Sequence, residues 1–478
     1  MLADGAMTHP DEDLTPVAWT AALLATLGHC EAPSASALVV TGHDPVLATR
    51  FPVGAAAAAV LGAVGIASNE LWTLGGRKPQ RSEIDVRAAA ISLLSFVFQR
   101  APQLPPGRVP PPTVALYPTR DGGWIHLHGG FPKLHEGTLA LLGCGDDASA
   151  IARAVGDWNA PDLEDALAQR GLCGARLRSA DEWNSHPQGI VLARVPVVEV
   201  LRIGEAEPRP LSGPDARTAG ARPLSGVRVL DLTRVLAGPT CARTLAEHGA
   251  DVLHVRSPRL PFIESFVIDT NPGKRSCFLD LDRAQDVVRL GDLVSEADVF
   301  SQSYRAGALA RRGFGPEALA ARRPGIIAVS INCYGHDGPW AERPGWEQLA
   351  QTVSGMAYEH GGTESAAIVP AAVTDYTTGH LAALGVMRAL ARRASEGGSW
   401  HVRVSLTRTA MWMLSLPRVS PDATPTGLDP AVIQAYEITT DSAWGPLARL
   451  GPILRMSATP PGWASPPVPL GTHAPTWW

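Results

Sequence analysis

The sequence predicts an α/β fold: a parallel-sheet domain with helices on its faces, joined to a smaller α+β domain. Two observations carry this. Residues 226–414 alternate short apolar strands with helical patterns, as a parallel sheet requires. Residues 113–203 open instead on a hairpin and continue as helices. At 478 residues and 45% hydrophobic, the chain is also too long for one core, since single cores stop growing at roughly 250–300 residues.

The elements follow in order. Residues 1–112 form an N-terminal helical part. Its main helix runs from Pro52 to about Trp72 and ends near Gly75-Gly76. A short alternating strand over 82–86 and a second Ala-rich helix come next. Residues 101–113 (APQLPPGRVPPPT) read as an extended loop. In 113–203, strands over 114–119 and 124–128 flank the turn Asp121-Gly122-Gly123, and helices are expected around 132–142, 146–156 and 161–169. Residues 204–225 form a linker. From 226, strand 227–232, helix 240–248 and strand 251–255 make a βαβ unit of about 30 residues, a Rossmann-like layout. Strands at 276–281, 297–301 and 326–331 and helices at 284–295 and 316–322 extend it. A buried helix over 375–396 and a strand over 401–406 complete it. Residues 415–478 read as a Pro-rich tail.

An internal repeat is visible. Helix, Gly-Gly, strand and helix over 375–411 share their plan with 55–90. Gly385 falls opposite Gly65, and Asp375 opposite Ala55, so the first copy lacks the carboxylate of the second.

Composition excludes several functions. With 41 basic against 46 acidic residues, net −5, neither a nucleic-acid footprint nor a polybasic membrane patch is expected. Only Lys78, Lys133 and Lys274 are lysines. The longest apolar run, Val53 to Ala67, falls short of the roughly 18–20 residues that span a bilayer. No basic stretch and apolar run mark a secretory signal. Six scattered cysteines without a C-x-x-C pair argue against zinc and against a disulfide framework. A cytoplasmic protein is expected.

Several residues carry candidate chemistry. The first βα turn, Asp231-Leu-Thr-Arg-Val-Leu-Ala-Gly-Pro239, lacks G-x-G-x-x-G, so a nicotinamide dinucleotide is not expected. Lys274-Arg275 after Asn271-Pro272-Gly273 reads as a phosphate contact or a solvated pair, as do Arg311 and Arg312 beyond Tyr304. Asp375, at a helix start, reads as an N-cap or as a nucleophile that the helix dipole keeps ionised. Glu347 is a surface carboxylate or a second acid near it. His336, His360 and His380 lack metal-ligand spacing, and no metal is expected.

Together these segments resemble the class III CoA-transferase family, the CaiB/BaiF, formyl-CoA-transferase-like group. The resemblance rests on ordered motifs: Gly226 through Pro239, Leu245-Ala-Glu-His-Gly-Ala-Asp-Val-Leu253, Gly273-Lys-Arg-Ser276, Leu279-Asp-Leu281, Ala297-Asp298-Val299, Tyr304-Arg-Ala-Gly307, Arg311-Arg-Gly313, Tyr334-Gly-His-Asp-Gly-Pro339 and Thr374-Asp-Tyr-Thr-Thr-Gly379. The family's small domain is resembled earlier in the chain, by Asp121-Gly-Gly-Trp-Ile125, Gly171-Leu-Cys-Gly-Ala-Arg176, Asp181-Glu-Trp183 and His186-Pro187. The order is therefore permuted, as in a fused, partly duplicated member.

The resemblance implies CoA exchange between an acyl-CoA and a small carboxylic acid through an aspartyl anhydride. It implies no permanently bound cofactor, CoA and acyl-CoA as substrates, and an interlocked homodimer. Asp375 matches the nucleophile, and Glu347 a carboxylate beside it. Leu236 and Ala237 match a CoA-contacting turn. Leu279, Asp280, Leu281 and Asp282 match a segment along the CoA diphosphate and ribose. Ser303, Tyr304 and Arg311 match adenine and phosphate contacts. Lys274 lies in a motif the family places near CoA, and Trp346 joins the CoA-binding set.

The chain departs from the pattern in places. Asp282 stands where a basic residue is frequent, Ser303 where an Asn is common, and Arg256 where an acidic residue ends the second strand. Proline-rich residues 104–113 replace a mobile glycine loop. Gly345-Trp346-Glu347 replaces the Gly-His-Asp of the family's racemases, which disfavours a racemase. A catalytically impaired acyl-CoA binder is the other alternative.

Overall fold

The computed structural model describes residues 15–29, 34, 36–210, 220–362 and 366–477. Cys30 and residues 211–219 of the linker therefore lie outside the described residues.

The N-terminal part holds helix α1 (Pro16–Thr26), strand β1 (Leu38–Thr41), helix α2 (Val53–Leu74), strand β2 (Ser82–Asp85) and helix α3 (Val86–Ser92). β1 and β2 pair in parallel. The whole Ala/Gly stretch of α2 is buried. At 22 residues the helix is long and apolar enough to cross a membrane, yet 89% of its apolar window lies inside this fold. Alanine and glycine explain this: they let other helices approach on every side.

The small unit is a three-stranded antiparallel sheet of β3 (Val114–Pro118), β4 (Trp124–His128) and β5 (Gly174–Arg176). Helices α4 (Pro132–Leu142), α5 (Ala148–Val155) and α6 (Ala160–Gln169) share its core of Ile125, Leu127, Ile151, Leu163 and Leu167. Helices α7 (Ala180–Ser185) and α8 (Pro187–Ala193) follow. Strand β6 (Glu199–Gly204), whose residues up to 203 fall within the expected small unit, pairs antiparallel with the main sheet.

The main sheet adds β7 (Arg228–Leu232), helix α9 (Ala237–Glu247), β8 (Asp251–Arg256), helix α10 (Glu264–Thr270), β9 (Lys274–Phe278), helix α11 (Ala284–Glu296), β10 (Val299–Gln302), helix α12 (Pro316–Arg322) and β11 (Ile327–Asn332). Helices α13 (Glu347–Ser354), α14 (Met356–Gly361) and α15 (Val373–Glu396), strand β12 (Ser399–Ser405) and helix α16 (Leu406–Ser415) complete it. The strand order is β6-β12-β11-β10-β7-β8-β9. All pairs except β6–β12 are parallel. The runs Val229-Leu230 and Ile327-Ala328-Val329 are buried on both faces, as parallel strands require.

The expected Pro-rich tail is more ordered than its pattern suggests. It forms helix α17 (Pro430–Tyr436), a hairpin of β13 (Glu437–Ser442) and β14 (Gly445–Leu450), and strand β15 (Arg455–Met456) beside β2. Beyond it, the Trp463 indole donates to the Arg243 carbonyl and the Trp477 indole to the Leu293 carbonyl. Single tryptophans anchored on other elements leave no periodicity to read.

α15 lies at the centre, between α9 and α2. The approach of α9 depends on Gly379, where a Cβ would meet the Ala237 carbonyl oxygen at 2.5 Å. On the other side Arg388 of α15 pairs with Glu70 of α2.

Candidate active site

The site forms where β7 turns into α9. Val235, in that turn, has φ +68. A β-branched residue is strained there, and such strain persists where the surroundings over-determine it. Leu236 precedes the first residue of α9, Ala237, whose N–H lies among the unpartnered donors of a helix start. The Ala237 N–H lies beside the Asp375 carboxyl in the first turn of α15 and favours its ionised form.

Asp375 is not held ionised by its helix. Burial pushes its carboxyl well above the ordinary value, and the nearby Glu347 carboxylate adds to this, while the Ala237 N–H opposes both. This corrects the expectation from the helix dipole: desolvation outweighs the dipole. The carboxylate also does not cap its own helix, whose N-cap residue is Ala372.

Glu347 begins α13 and is buried. Its Oε1 accepts from Gln351 Nε2 at 2.6 Å and from the Thr374 N–H and hydroxyl at 3.3 Å each. Burial nevertheless raises its carboxyl to about 7. Two carboxyl groups, both raised, thus flank the start of α15.

They open on a cavity of about 430 Å³. Leu236, Trp346, Glu347 and Asp375 line it, from three parts of the main domain. The small unit adds His128 and Phe131, and the N-terminal part adds Leu94 and Phe96. Trp346 stacks on His128 with ring centroids 5.2 Å apart. Burial lowers His128 to about 4, so this imidazole is neutral near pH 7. The Tyr376 hydroxyl donates to Asp269 at 2.9 Å and accepts from the Phe96 N–H at 3.2 Å, tying the N-terminal wall to α15. Arg108, Pro110 and Pro111 of the proline-rich segment also line the cavity.

Other expected residues lie elsewhere. Lys274 does not face a ligand. Its ammonium is fully buried, 2.9 Å from Asp231 and 2.8 Å from the Pro239 carbonyl. Asp231, also bonded by the Thr233 N–H and hydroxyl, is held below its ordinary value despite burial. The lysine braces the turn from beneath. Leu279 packs in the core, and Leu281 lies against it. Asp280 and Asp282 bind Arg259 at 2.5 and 3.0 Å, and Asp282 also binds Arg312 at 2.6 Å. Arg311 is exposed. None of these lines the cavity.

Ser303 accepts from the Arg234 N–H at 3.0 Å. Tyr304 feels the charges of Arg256 and Arg234, which moderate the rise that burial gives its hydroxyl. Neither arginine lines the cavity, and Arg234 also donates to the Pro261 carbonyl. Arg256 ends β8, is 3% exposed, and makes no ion pair among the described residues. The Nε of each has no hydrogen-bond partner. Burial, with Arg234 alongside, lowers Arg256 to about 10. The basic residue at a strand end where resemblance expects an acid was the available signal. Among the described residues, no group of three His, Cys, Asp or Glu side chains could hold a metal ion.

Comparison with known proteins follows the same lines. Residues 224–431 match the model of CoA-transferase family III. An acyl-CoA transferase of Gibberella moniliformis is 34% identical over 417 residues, covering 75% of this chain and 73% of its own. An acetyl-coenzyme A transferase of Hypoxylon pulicicidum is 34% identical over 63% of this chain and 54% of its own. The mouse succinyl-CoA:glutarate CoA-transferase is 32% identical over 40% and 47%. The chain thus spans about half the length of the latter two. A crystal structure of a CaiB/BaiF family protein from Brucella suis covers 47% of this chain and 65% of its own, at 27% identity and a TM-score of 0.38.

Proposed function

The chain belongs to CoA-transferase family III, and from that premise we propose that Asp375 is the nucleophile of a CoA transfer between an acyl-CoA and a carboxylic acid. The observation that carries this reading is the Asp375 carboxyl, set in a desolvated cavity against the Ala237 N–H at the start of α9. One Asp375 oxygen bonds to the thioester carbon, the C–S bond breaks, and sulfur leaves as thiolate. The product on the enzyme is a mixed anhydride. Thiolate attack on the Asp375 carbonyl then releases the donor acid and leaves an aspartyl thioester. The acceptor carboxylate displaces the thiolate again, and thiolate attack on the acceptor carbonyl frees Asp375. No bond energy is needed from outside, because one thioester replaces another.

Each neighbouring residue has a part. The Ala237 N–H stabilises charge on the reacting carboxyl. The aromatic walls and the proline-rich segment keep water from the anhydride. Arg234 and Arg256, whose Nε atoms are free, are assigned to the CoA phosphates at the carboxyl ends of β7 and β8, where ligands of open α/β sheets bind. We assign the protein to the cytoplasm, as an interlocked homodimer of the kind the family resemblance implies.

Incubation with an acyl-CoA and hydroxylamine tests the reading. A hydroxamate at Asp375 supports it, and its absence with every donor removes it. A second reading, acyl-CoA binding without turnover, draws on the burial that disfavours the ionised Asp375 carboxylate. The same trap separates the two.

A further inference from the structure

Apart from its two carboxyl groups, the cavity wall is mostly apolar. Phe96 and Phe266 meet edge to face with ring centroids 4.9 Å apart. Phe131 and Trp346 lie 5.2 Å apart. Leu94 and Ile368 extend the wall. The Trp346 indole N–H is itself buried and turned toward the Cys173 thiol, so it offers the cavity no donor. Among the described lining residues, Arg108 is the only lysine or arginine, and it sits exposed on the proline-rich segment.

This lining bears on what the acyl group can be. A monocarboxylic acid loses its charge when it becomes a thioester. A dicarboxylic acid keeps a second carboxylate, which must be buried against aromatic rings and beside Glu347 and Asp375. An unpaired carboxylate in such surroundings is strongly disfavoured.

We propose that this site takes acyl groups with an apolar far end, aliphatic or aromatic monocarboxylates, and rejects those bearing a second carboxylate. The inference rests on the CoA-transfer reading above and specifies the substrate class of the same site. The relative that acts on succinyl-CoA and glutarate would differ from this chain in that respect.

The test compares hexanoyl-CoA, benzoyl-CoA and succinyl-CoA as donors, with acetate as the common acceptor. Apolar donors are expected to exceed succinyl-CoA in kcat/KM by about tenfold or more. Binding of the unreactive thioethers S-hexyl-CoA and S-(3-carboxypropyl)-CoA by calorimetry should show the same order. Phe266→Arg, or Ile368→Arg if the first does not fold, should narrow the ratio by giving the second carboxylate a partner. Succinyl-CoA equal to or better than hexanoyl-CoA overturns the selectivity and leaves the transfer reading standing. A folded variant with an unchanged ratio overturns it too, by placing the acyl group elsewhere. Thioether binding without turnover of any donor removes the transfer reading, while the order of the two affinities still decides the selectivity.

Discussion

α2 and α15 share one plan and differ in what their starts meet. Each begins after an apolar turn, and each is followed by a strand and a short helix. Each keeps a glycine where the next strand crosses: a Cβ on Gly65 would meet Ser82 at 2.7 Å, and one on Gly385 would meet Val402 at 2.5 Å. They differ at their starts. Ala55 stands where Asp375 stands, and its N–H is capped by the Asp44 carboxylate at 2.7 Å. A Cβ on Gly54 would strike the Val86 carbonyl oxygen at 2.8 Å, so the space is filled. At α15 the Glu347 carboxylate takes the equivalent part, accepting from the Thr374 N–H, but this start faces a cavity. A helix start supports covalent chemistry only if the fold leaves room for a substrate and a carboxyl group to meet it.

The comparison can be broken most directly at Asp375. Asp375→Ala should cut transfer by about a thousandfold or more, measured as initial rates, and should abolish hydroxamate trapping. Activity near that of the parent protein would remove the distinction between the copies. Next is Ala55→Asp, which forces a second carboxylate against Asp44. A loss of about 3 kcal/mol in urea unfolding is expected, with no activity when it is combined with Asp375→Ala. Restored transfer there would mean that the first copy is only silent, not closed.

Glu347→Gln sharpens the electrostatic half. It removes the like charge beside Asp375, so the acid limb of the pH–rate profile should move to lower pH. Glu347 is raised on folding to about 7. It therefore stabilises the fold fully below its unfolded value, and this is lost as pH rises through about 7. Denaturation at pH 5.5 and 8.5 should show that loss in the parent protein and a smaller one in Glu347→Gln. The smallest effect belongs to Asp44→Ala, which deletes the cap of α2 and should cost about 1 kcal/mol with transfer unchanged.

The legibility of these features in the sequence was uneven. Strand 228–232 and helices 284–296 and 316–322 were readable because apolar spacing reports burial directly. Lys274 was misread because a cation after a glycine turn looks the same whether it meets a phosphate or an aspartate 43 residues away. Arg256 is legible only as a departure from the family pattern, because nothing in the sequence shows that a buried guanidinium makes no ion pair. The tail was underestimated because its order rests on isolated tryptophans.

The sequence by itself determined the α/β alternation and the shared plan of α2 and α15, with Asp375 opposite Ala55. Those are local patterns, and local patterns survive in one dimension. Tertiary structure alone decided that Asp375 and Glu347 share a desolvated pocket, that Leu94, Phe96, His128 and Phe131 close it, and that Lys274 is spent on Asp231. Burial and pairing are set by residues distant in the chain, and they govern whether a carboxyl group caps a helix or can react.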